Sequence, residues 1–300
     1  MSKHDDEVAG VALTHPDKVL YPEVGLTKRE LAEYLNAVAK HMLPFAARHP
    51  MSLVRCPDGI SDKCFYQKHS TARMPDGFKS VTIREKGGDK ADYLYVDTVS
   101  GIVSAAQIGA LELHVWGAPA DDLEHPDRLV FDLDPADDVP FADVKAAAGD
   151  LRAVLDAAGL KSFAMITGGK GIHVIAPLDG RNDWEDVKTF ASGLAKSFAE
   201  RDPDRFIATA SKARRQGRIF IDWLRNERGA TAIAPYSPRA RKGAPVATPV
   251  GWTELSRLKT AAAFDTVAII KRLKKAKADP WPGYRKRQHI GEATIKAVTS

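Results

Sequence analysis

Two aspartates separated by one residue end an apolar run, Phe131-Asp132-Leu133-Asp134-Pro135. Side chains of an extended strand alternate between faces, so Asp132 and Asp134 share one face while Leu129, Phe131 and Leu133 turn to the other. Two carboxylates side by side repel unless a cation separates them, and hard divalent ions such as Mg²⁺ or Mn²⁺ take oxygen ligands. The alternative is a pair of turn or surface acids. A third carboxylate lies in Arg218-Ile219-Phe220-Ile221-Asp222-Trp223, among apolar residues, where an acid needs a partner. That partner is either a metal ion shared with the first pair or a salt bridge to Arg218 or Arg225.

Between these acids runs Thr167-Gly168-Gly169-Lys170-Gly171-Ile172-His173. Three glycines let a backbone approach a bulky anion, Lys170 supplies a point charge, and His173 can donate to a phosphate oxygen. It is not a P-loop, because GxxxxGK[ST] is absent and the segment leads into a strand where a P-loop opens a helix. Taken singly, the stretch also reads as a glycine hairpin with an incidental lysine.

These groups need a scaffold that the hydrophobic periodicity supplies. Thr27-Lys28-Arg29-Glu30 has the pattern of a capping box, and Leu31, Tyr34, Leu35, Val38 and Met42 follow at helical spacing, predicting a helix to about residue 49. Strands are expected over 91–98, 110–116, 128–134, 162–167, 172–177 and 218–224. A short helix is expected around 102–108, another on the stripe Val144, Ala148, Leu151, Leu155 and Ala158 with Gly159 as its stop, and a third over 184–200. Hairpin-like pairs mixed with crossovers point to an α+β sheet core, and no Rossmann fingerprint appears.

Composition excludes whole classes. The chain has 300 residues, 44% hydrophobic and 28% charged, enough for a large buried core and unlike a disordered or fibrous protein. No window nears the roughly 18 apolar residues that span a bilayer, and MSKHDDEVAG lacks a signal-peptide core, so no membrane partner is expected and the expected compartment is the cytoplasm. The only cysteines, Cys56 and Cys64, do not match zinc spacings and are expected as free thiols. Net charge is +5, but residues 271–288 hold eight basic residues against Asp279, a local excess of seven. Such a cluster suits a phosphate backbone or a solvated helix face.

In order, the Asp-x-Asp, the glycine-rich Lys/His hairpin and the lone strand aspartate resemble the archaeo-eukaryotic primase superfamily, and more closely the polymerase domains of bacterial ligase D proteins of non-homologous end joining. The resemblance runs over residues 12–290. It also includes His15-Pro16-Asp17-Lys18-Val19-Leu20-Tyr21-Pro22, Leu53-Val54-Arg55-Cys56-Pro57, Phe65-Tyr66-Gln67-Lys68 and Leu111-Glu112-Leu113-His114-Val115-Trp116. It implies an α+β primase-like fold, an RRM-like catalytic sheet with flanking helices and an N-terminal lobe. The expected layout is a tail over 1–11, a lobe over 12–120, the sheet core over 121–250, a helical basic segment over 251–290 and a tail over 291–300.

Carried over residue by residue, the resemblance assigns two Mn²⁺ or Mg²⁺ ions to Asp132, Asp134 and Asp222. It assigns an NTP or dNTP triphosphate to Thr167, Lys170 and His173, with Thr167 standing where relatives commonly have serine. Arg239, His114 and Arg55 fall to the nucleotide pocket, and Arg225 to Asp222 or the primer backbone. Lys18 and Lys28 fall to a DNA 5′-phosphate, and Phe65 and Tyr66 to stacking on template bases. The implied activity is DNA-dependent nucleotidyl transfer across gaps or break ends, with ribonucleotides preferred, Ku and a DNA ligase as partners, and a bacterial, nucleoid-associated location. Two other classes remain open: a metal-dependent phosphoesterase built on the same aspartates, and a non-catalytic module that binds DNA ends.

Overall fold

The computed structural model describes residues 6–85, 87–211, 214–276 and 278–298. Residues 1–5 of the expected first tail, Lys212 and Ala213 of a basic stretch before the Asp222 strand, Lys277 of the basic segment and the last two residues of the second tail lie outside them. The chain forms two compact units, one of residues 1–121, 233–247 and 264–276, the other of residues 122–232, 248–263 and 277–300. The return of 233–247 and 264–276 to the first unit was not expected from the sequence. It also divides the basic 271–288 segment: Lys271, Arg272, Lys274 and Lys275 end the helix Thr266–Lys275, whereas Arg285, Lys286 and Arg287 belong to the second unit.

In the first unit, Thr27 caps the helix Lys28–Ala46 as its spacing predicts. Glu30 N donates to the Thr27 hydroxyl at 3.2 Å, and Thr27 N donates to the Glu30 carboxylate at 2.7 Å. Leu31, Tyr34, Leu35, Val38 and Met42 form its buried stripe and pack toward the helix Val99–Gln107. Strands Ala110–Trp116, Met51–Arg55 and Phe65–Gln67 are antiparallel neighbours in one sheet, with Phe65–Gln67 at its edge. Lys79–Arg84 and Lys90–Tyr95 make a separate hairpin. The segment expected as a tail over 1–11 folds from Glu7 on: Glu7–Val8 pairs with Val11–Ala12, and Val8 and Val11 enter the core.

The expectation of free thiols is overturned. Cys56 and Cys64 form a disulfide, their Cα atoms 4.3 Å apart. After Cys56 the chain turns back through Gly59, at φ +89°, whose amide donates to Cys56 O at 3.0 Å, and this brings Cys64 beside its partner.

The second unit is a six-stranded sheet ordered Phe206–Ile207, Ile219–Asp222, Arg128–Pro135, Ile172–Pro177, Phe163–Ile166 and Thr248–Val250. All its pairings are antiparallel except that of the outermost Phe206–Ile207. Helices Phe141–Ala157 and Trp184–Arg201 pack against this sheet through Val144, Ala148, Leu151, Val187, Phe190 and Leu194, all buried. Gly159, at φ +77°, ends the first of them as its position predicts. Among the described residues no helix is long and apolar enough to cross a membrane.

Candidate active site

Strand register gathers the expected acids. Asp132 stands opposite His173 on one neighbouring strand and opposite Asp222 on the other, so His173, Asp132 and Asp222 form a row across three strands. Asp134, two residues on and on the same face, stands opposite Phe220. Phe131, Leu133 and Ile221 turn to the other face, where all three are buried, and their burial fixes which face carries the carboxylates.

Two arginines balance three carboxylates. Arg225 Nη2 donates to Asp132 Oδ2 at 3.1 Å and lies 3.1 Å from Asp222 Oδ2. Arg215 pairs with Asp134, its guanidinium carbon 4.3 Å from the Phe220 ring centre. His173 Nε2 is 3.4 Å from Asp132 Oδ1. Burial pushes the Asp132 carboxyl up, but His173 and Arg225 outweigh it and hold the group well below the usual carboxylate range. At Asp222 burial prevails, reinforced by Asp132 itself, and the carboxyl lies above its ordinary value despite Arg225. The row is therefore short of positive charge.

The glycine segment abuts this row. A Cβ on Gly171 would come within 2.5 Å of Leu133 O and 3.4 Å of Asp132 Oδ1, so only glycine allows the approach. Gly168 takes φ +68° and donates from its amide to Ala261 O at 3.0 Å. Thr167 Oγ1 donates to Gly171 O at 3.1 Å, bracing the turn, and Lys170 pairs with Asp137 at its tip. His173 is 3% exposed, and its Nδ1 is buried without a hydrogen-bond partner among the described residues.

The donor chemistry fits a hard divalent cation: three carboxylates on one face, two of them in a row where burial and mutual repulsion leave negative charge unbalanced. Each carboxylate is turned to an arginine, and among the described residues no group of three His, Cys, Asp or Glu is drawn together around one point.

The other expected residues lie in the first unit. Glu112 Oε2 is 2.7 Å from His114 Nε2, and its Oε1 is 3.1 Å from Arg239 Nε and accepts from Ala240 N at 2.8 Å. Burial raises the Glu112 carboxyl, yet His114, Arg239 and the amide bring it down to about 2. Its ordinary value is 4.5, so the carboxylate stabilises the fold fully above about pH 4.5 and progressively less as the pH falls to about 2. Replacing Glu112 by Gln should cost about 3 kcal/mol at pH 7 and much less near pH 3. Urea unfolding of both proteins across that interval checks this, and a pH-independent difference would contradict it.

Arg55 is spent locally: Nε donates to Ile108 O at 2.9 Å, Nη1 to Gln67 Oε1 at 2.6 Å, and its guanidinium carbon lies 5.3 Å from the Phe65 ring centre. Phe65 and Tyr66 are 41% and 77% exposed on the edge strand, which for two large aromatics is unusual. Lys18 pairs with Asp58. Lys28, 7% exposed, donates to Thr14 O at 2.8 Å and Gln107 O at 3.2 Å, and burial followed by repulsion from Lys18 lowers its ammonium below the ordinary value.

Two residues of these clusters were not among the sequence candidates: Glu112 and Arg215. Glu112 alternates with His114 on one strand, a signal that could have found it. Arg215 acts across 81 residues, and no local pattern marks it.

Residues 27–281 match the family model of the LigD primase-polymerase domain. The chain belongs to this family. It is 38% identical over 287 residues to the multifunctional non-homologous end joining protein LigD of Pseudomonas aeruginosa, covering 95% of this chain and 34% of that one. To the bifunctional LigD of Bacillus subtilis it is 27% identical over 278 residues, 92% of this chain and 44% of that one. The chain thus spans about a third to under half of the length of these relatives. Among solved structures, the polymerase domain of Mycobacterium tuberculosis ligase D in complex with DNA superposes with a TM-score of 0.82 at 31% identity, over 88% of this chain and 94% of that one. The LigD polymerase-domain fold expected from the motifs is therefore the fold of this chain, α+β with a central sheet and flanking helices.

Proposed function

We propose that this LigD-family chain is a DNA-dependent nucleotidyltransferase that extends a 3′-hydroxyl across gaps and break ends during non-homologous end joining, with ribonucleotides preferred. The observation that carries this reading is the row of His173, Asp132 and Asp222 with Asp134 on the same face. Asp132, Asp134 and Asp222 would hold two Mg²⁺ or Mn²⁺ ions. Such ions, when bound, lower the pKa of a primer 3′-hydroxyl and neutralise charge on the triphosphate and departing pyrophosphate.

The remaining work falls to the chain's own groups. Lys170 and the glycine turn offer a charge and close backbone approach to the triphosphate, and the buried Nδ1 of His173 holds hydrogen-bonding capacity that none of the described residues uses. Arg225 and Arg215 orient the carboxylates, and Arg225 together with His173 keeps Asp132 ionised. Arg239, His114 and Arg55 are assigned to nucleotide contact on the family resemblance. Phe65 and Tyr66 present π faces to template bases, and Lys18 and Lys28 bind a 5′-phosphate. Ku and a DNA ligase are the partners this reading carries.

Extension of a labelled primer on a short gapped duplex, with NTPs and dNTPs compared in Mn²⁺, tests the reading. Template-directed extension is expected, faster with NTPs. Shortening of the primer would assign the site to a phosphoesterase, and binding without extension to an end-binding module. Lys18→Ala should reduce the preference for a 5′-phosphorylated gap about tenfold, the worth of one charge-assisted contact, with the unphosphorylated gap unaffected. Lys18 is the cleaner site for this test, since Lys28→Ala also removes two internal hydrogen bonds.

A further inference from the structure

The segment between Arg55 and Phe65 takes no part in the chemistry above, yet it joins two of its elements. The Cys56–Cys64 disulfide closes it. Cys56 follows the strand Met51–Arg55 directly, and Cys64 directly precedes Phe65, the first residue of the aromatic edge strand. The loop is also laid against the strand Val19–Tyr21. Ile60 N donates to Leu20 O at 2.9 Å, and a Cβ on Gly59 would meet Leu20 O at 3.0 Å. Asp58, near the middle of the loop, holds the Lys18 ammonium in an ion pair. One loop thus sets the start of the Phe65–Tyr66 strand and a partner of Lys18. At the far end of the aromatic strand, Lys68 Nζ donates to Glu85 Oε1 at 2.8 Å, so the strand is tethered at both ends and covalently at one.

We propose that the Cys56–Cys64 disulfide positions Lys18 and the aromatic pair together, and that its reduction by a dithiol weakens recognition of a 5′-phosphorylated DNA end. This rests on the roles given above to Lys18, Phe65 and Tyr66. Cys56 is fully buried and Cys64 partly exposed, so attack falls on Cys64. A thiolate of the dithiol bonds to Cys64 Sγ, the Sγ–Sγ bond breaks, and Cys56 leaves as a thiolate that takes up a proton. The second thiol then attacks the mixed disulfide and frees Cys64. The dithiol is oxidised to a disulfide, and the protein gains two electrons and two protons. Without the cross-link, the loop keeps its hydrogen bonds, the packing of Cys56, Ile60 and Cys64 against the core and one exposed ion pair, but no covalent closure, and exposed ion pairs hold weakly.

The test measures Kd for gapped duplex with and without the 5′-phosphate, using protein oxidised with glutathione disulfide and protein reduced with dithiothreitol. Thiol counts establish each state, and hydrogen exchange of residues 56–69 is followed without DNA. Reduction is expected to speed that exchange and to lower the preference for the phosphate by about fivefold, part of the contact Lys18 supplies. Reoxidation should restore it, and Cys64→Ser should match the reduced protein in both conditions. Two free thiols persisting after oxidation, or unchanged exchange after reduction, would overturn the proposal. An unchanged preference for the phosphate would overturn it as well. The Lys18→Ala arm then separates the causes: if that variant loses the preference, the disulfide alone is at fault, and if it keeps it, the role of Lys18 fails first.

Discussion

Replacing Asp132 by alanine is expected to lower nucleotide incorporation by at least about a thousandfold, the scale of the several kcal/mol that a divalent ion contributes to phosphoryl transfer. Affinity for gapped duplex should stay at the wild-type level. The residue stands at the centre of the row, opposite both His173 and Asp222, so no other carboxylate can take its place without moving a strand. Its removal also leaves Arg225 paired with Asp222 alone and takes from His173 Nε2 the carboxylate beside it. Asp132→Asn keeps the shape while deleting the charge and should be nearly as inactive, which separates lost charge from lost packing. Mn²⁺ titration of either variant should show fewer ions bound than wild type. Incorporation within tenfold of wild type in both variants would remove the aspartates from the chemistry.

The reason for expecting a cation lies in the local charge balance. Buried carboxylates must be paired, and Arg225 is shared between Asp132 and Asp222 while Arg215 serves the half-exposed Asp134. Asp132 wins that competition and stays ionised far into acid. Asp222, buried and without the close His173 that Asp132 has, is pushed the other way by burial and by the Asp132 charge. A divalent ion between the two would relieve the repulsion that the arginine only divides. The carboxylates face the row from three fixed strand positions, so the cost of arranging them is already met in folding.

Where local chemistry decided an element, the sequence was legible. Strands Ala110–Trp116 and Ile172–Pro177 match the expected spans to the residue, and the capping box located the start of Lys28–Ala46. Alternation alone placed Asp132 and Asp134 on one face. It could not place His173 or Asp222 opposite Asp132, because register between strands 41 and 90 residues apart depends on burying Phe131, Leu133 and Ile221 together. The resemblance supplied that juxtaposition. The disulfide was misread for the same reason in reverse: a spacing of eight says nothing about a turn that Gly59 makes possible. The hairpin of Lys79–Arg84 with Lys90–Tyr95 was seen only as its second strand, since the first alternates weakly and lies largely exposed.

The second large effect is structural and reaches the site through the backbone. Asn226 is 1% exposed, and its amide does the work of a missing strand residue. The strand Ile219–Asp222 pairs with Arg128–Pro135 as far as Asp222 opposite Asp132 and then turns into a short 3₁₀ helix, Leu224–Asn226, which leaves Val130 without a backbone neighbour on that side. Asn226 fills the place: Oδ1 accepts from Val130 N at 2.8 Å, while Nδ2 donates to Val130 O at 2.7 Å and to Trp223 O at 2.9 Å. Asn226→Leu keeps a similar volume but strands a buried amide and two carbonyls, at about 1–3 kcal/mol for each unsatisfied group. A loss of about 3–5 kcal/mol in unfolding free energy is expected, a third or more of the stability of a typical domain. Asn226→Asp should also destabilise, because its second oxygen meets the Val130 and Trp223 carbonyls where an N–H donated. The same turn carries Arg225, the partner of Asp132 and Asp222, so at temperatures where Asn226→Leu stays folded its incorporation rate should fall while Lys18-dependent recognition of the 5′-phosphate persists. Urea unfolding and gap filling on one preparation measure both quantities. A variant within about 0.5 kcal/mol of wild type, the range of an ordinary surface substitution, would show that water or a shifted backbone satisfies Val130 instead.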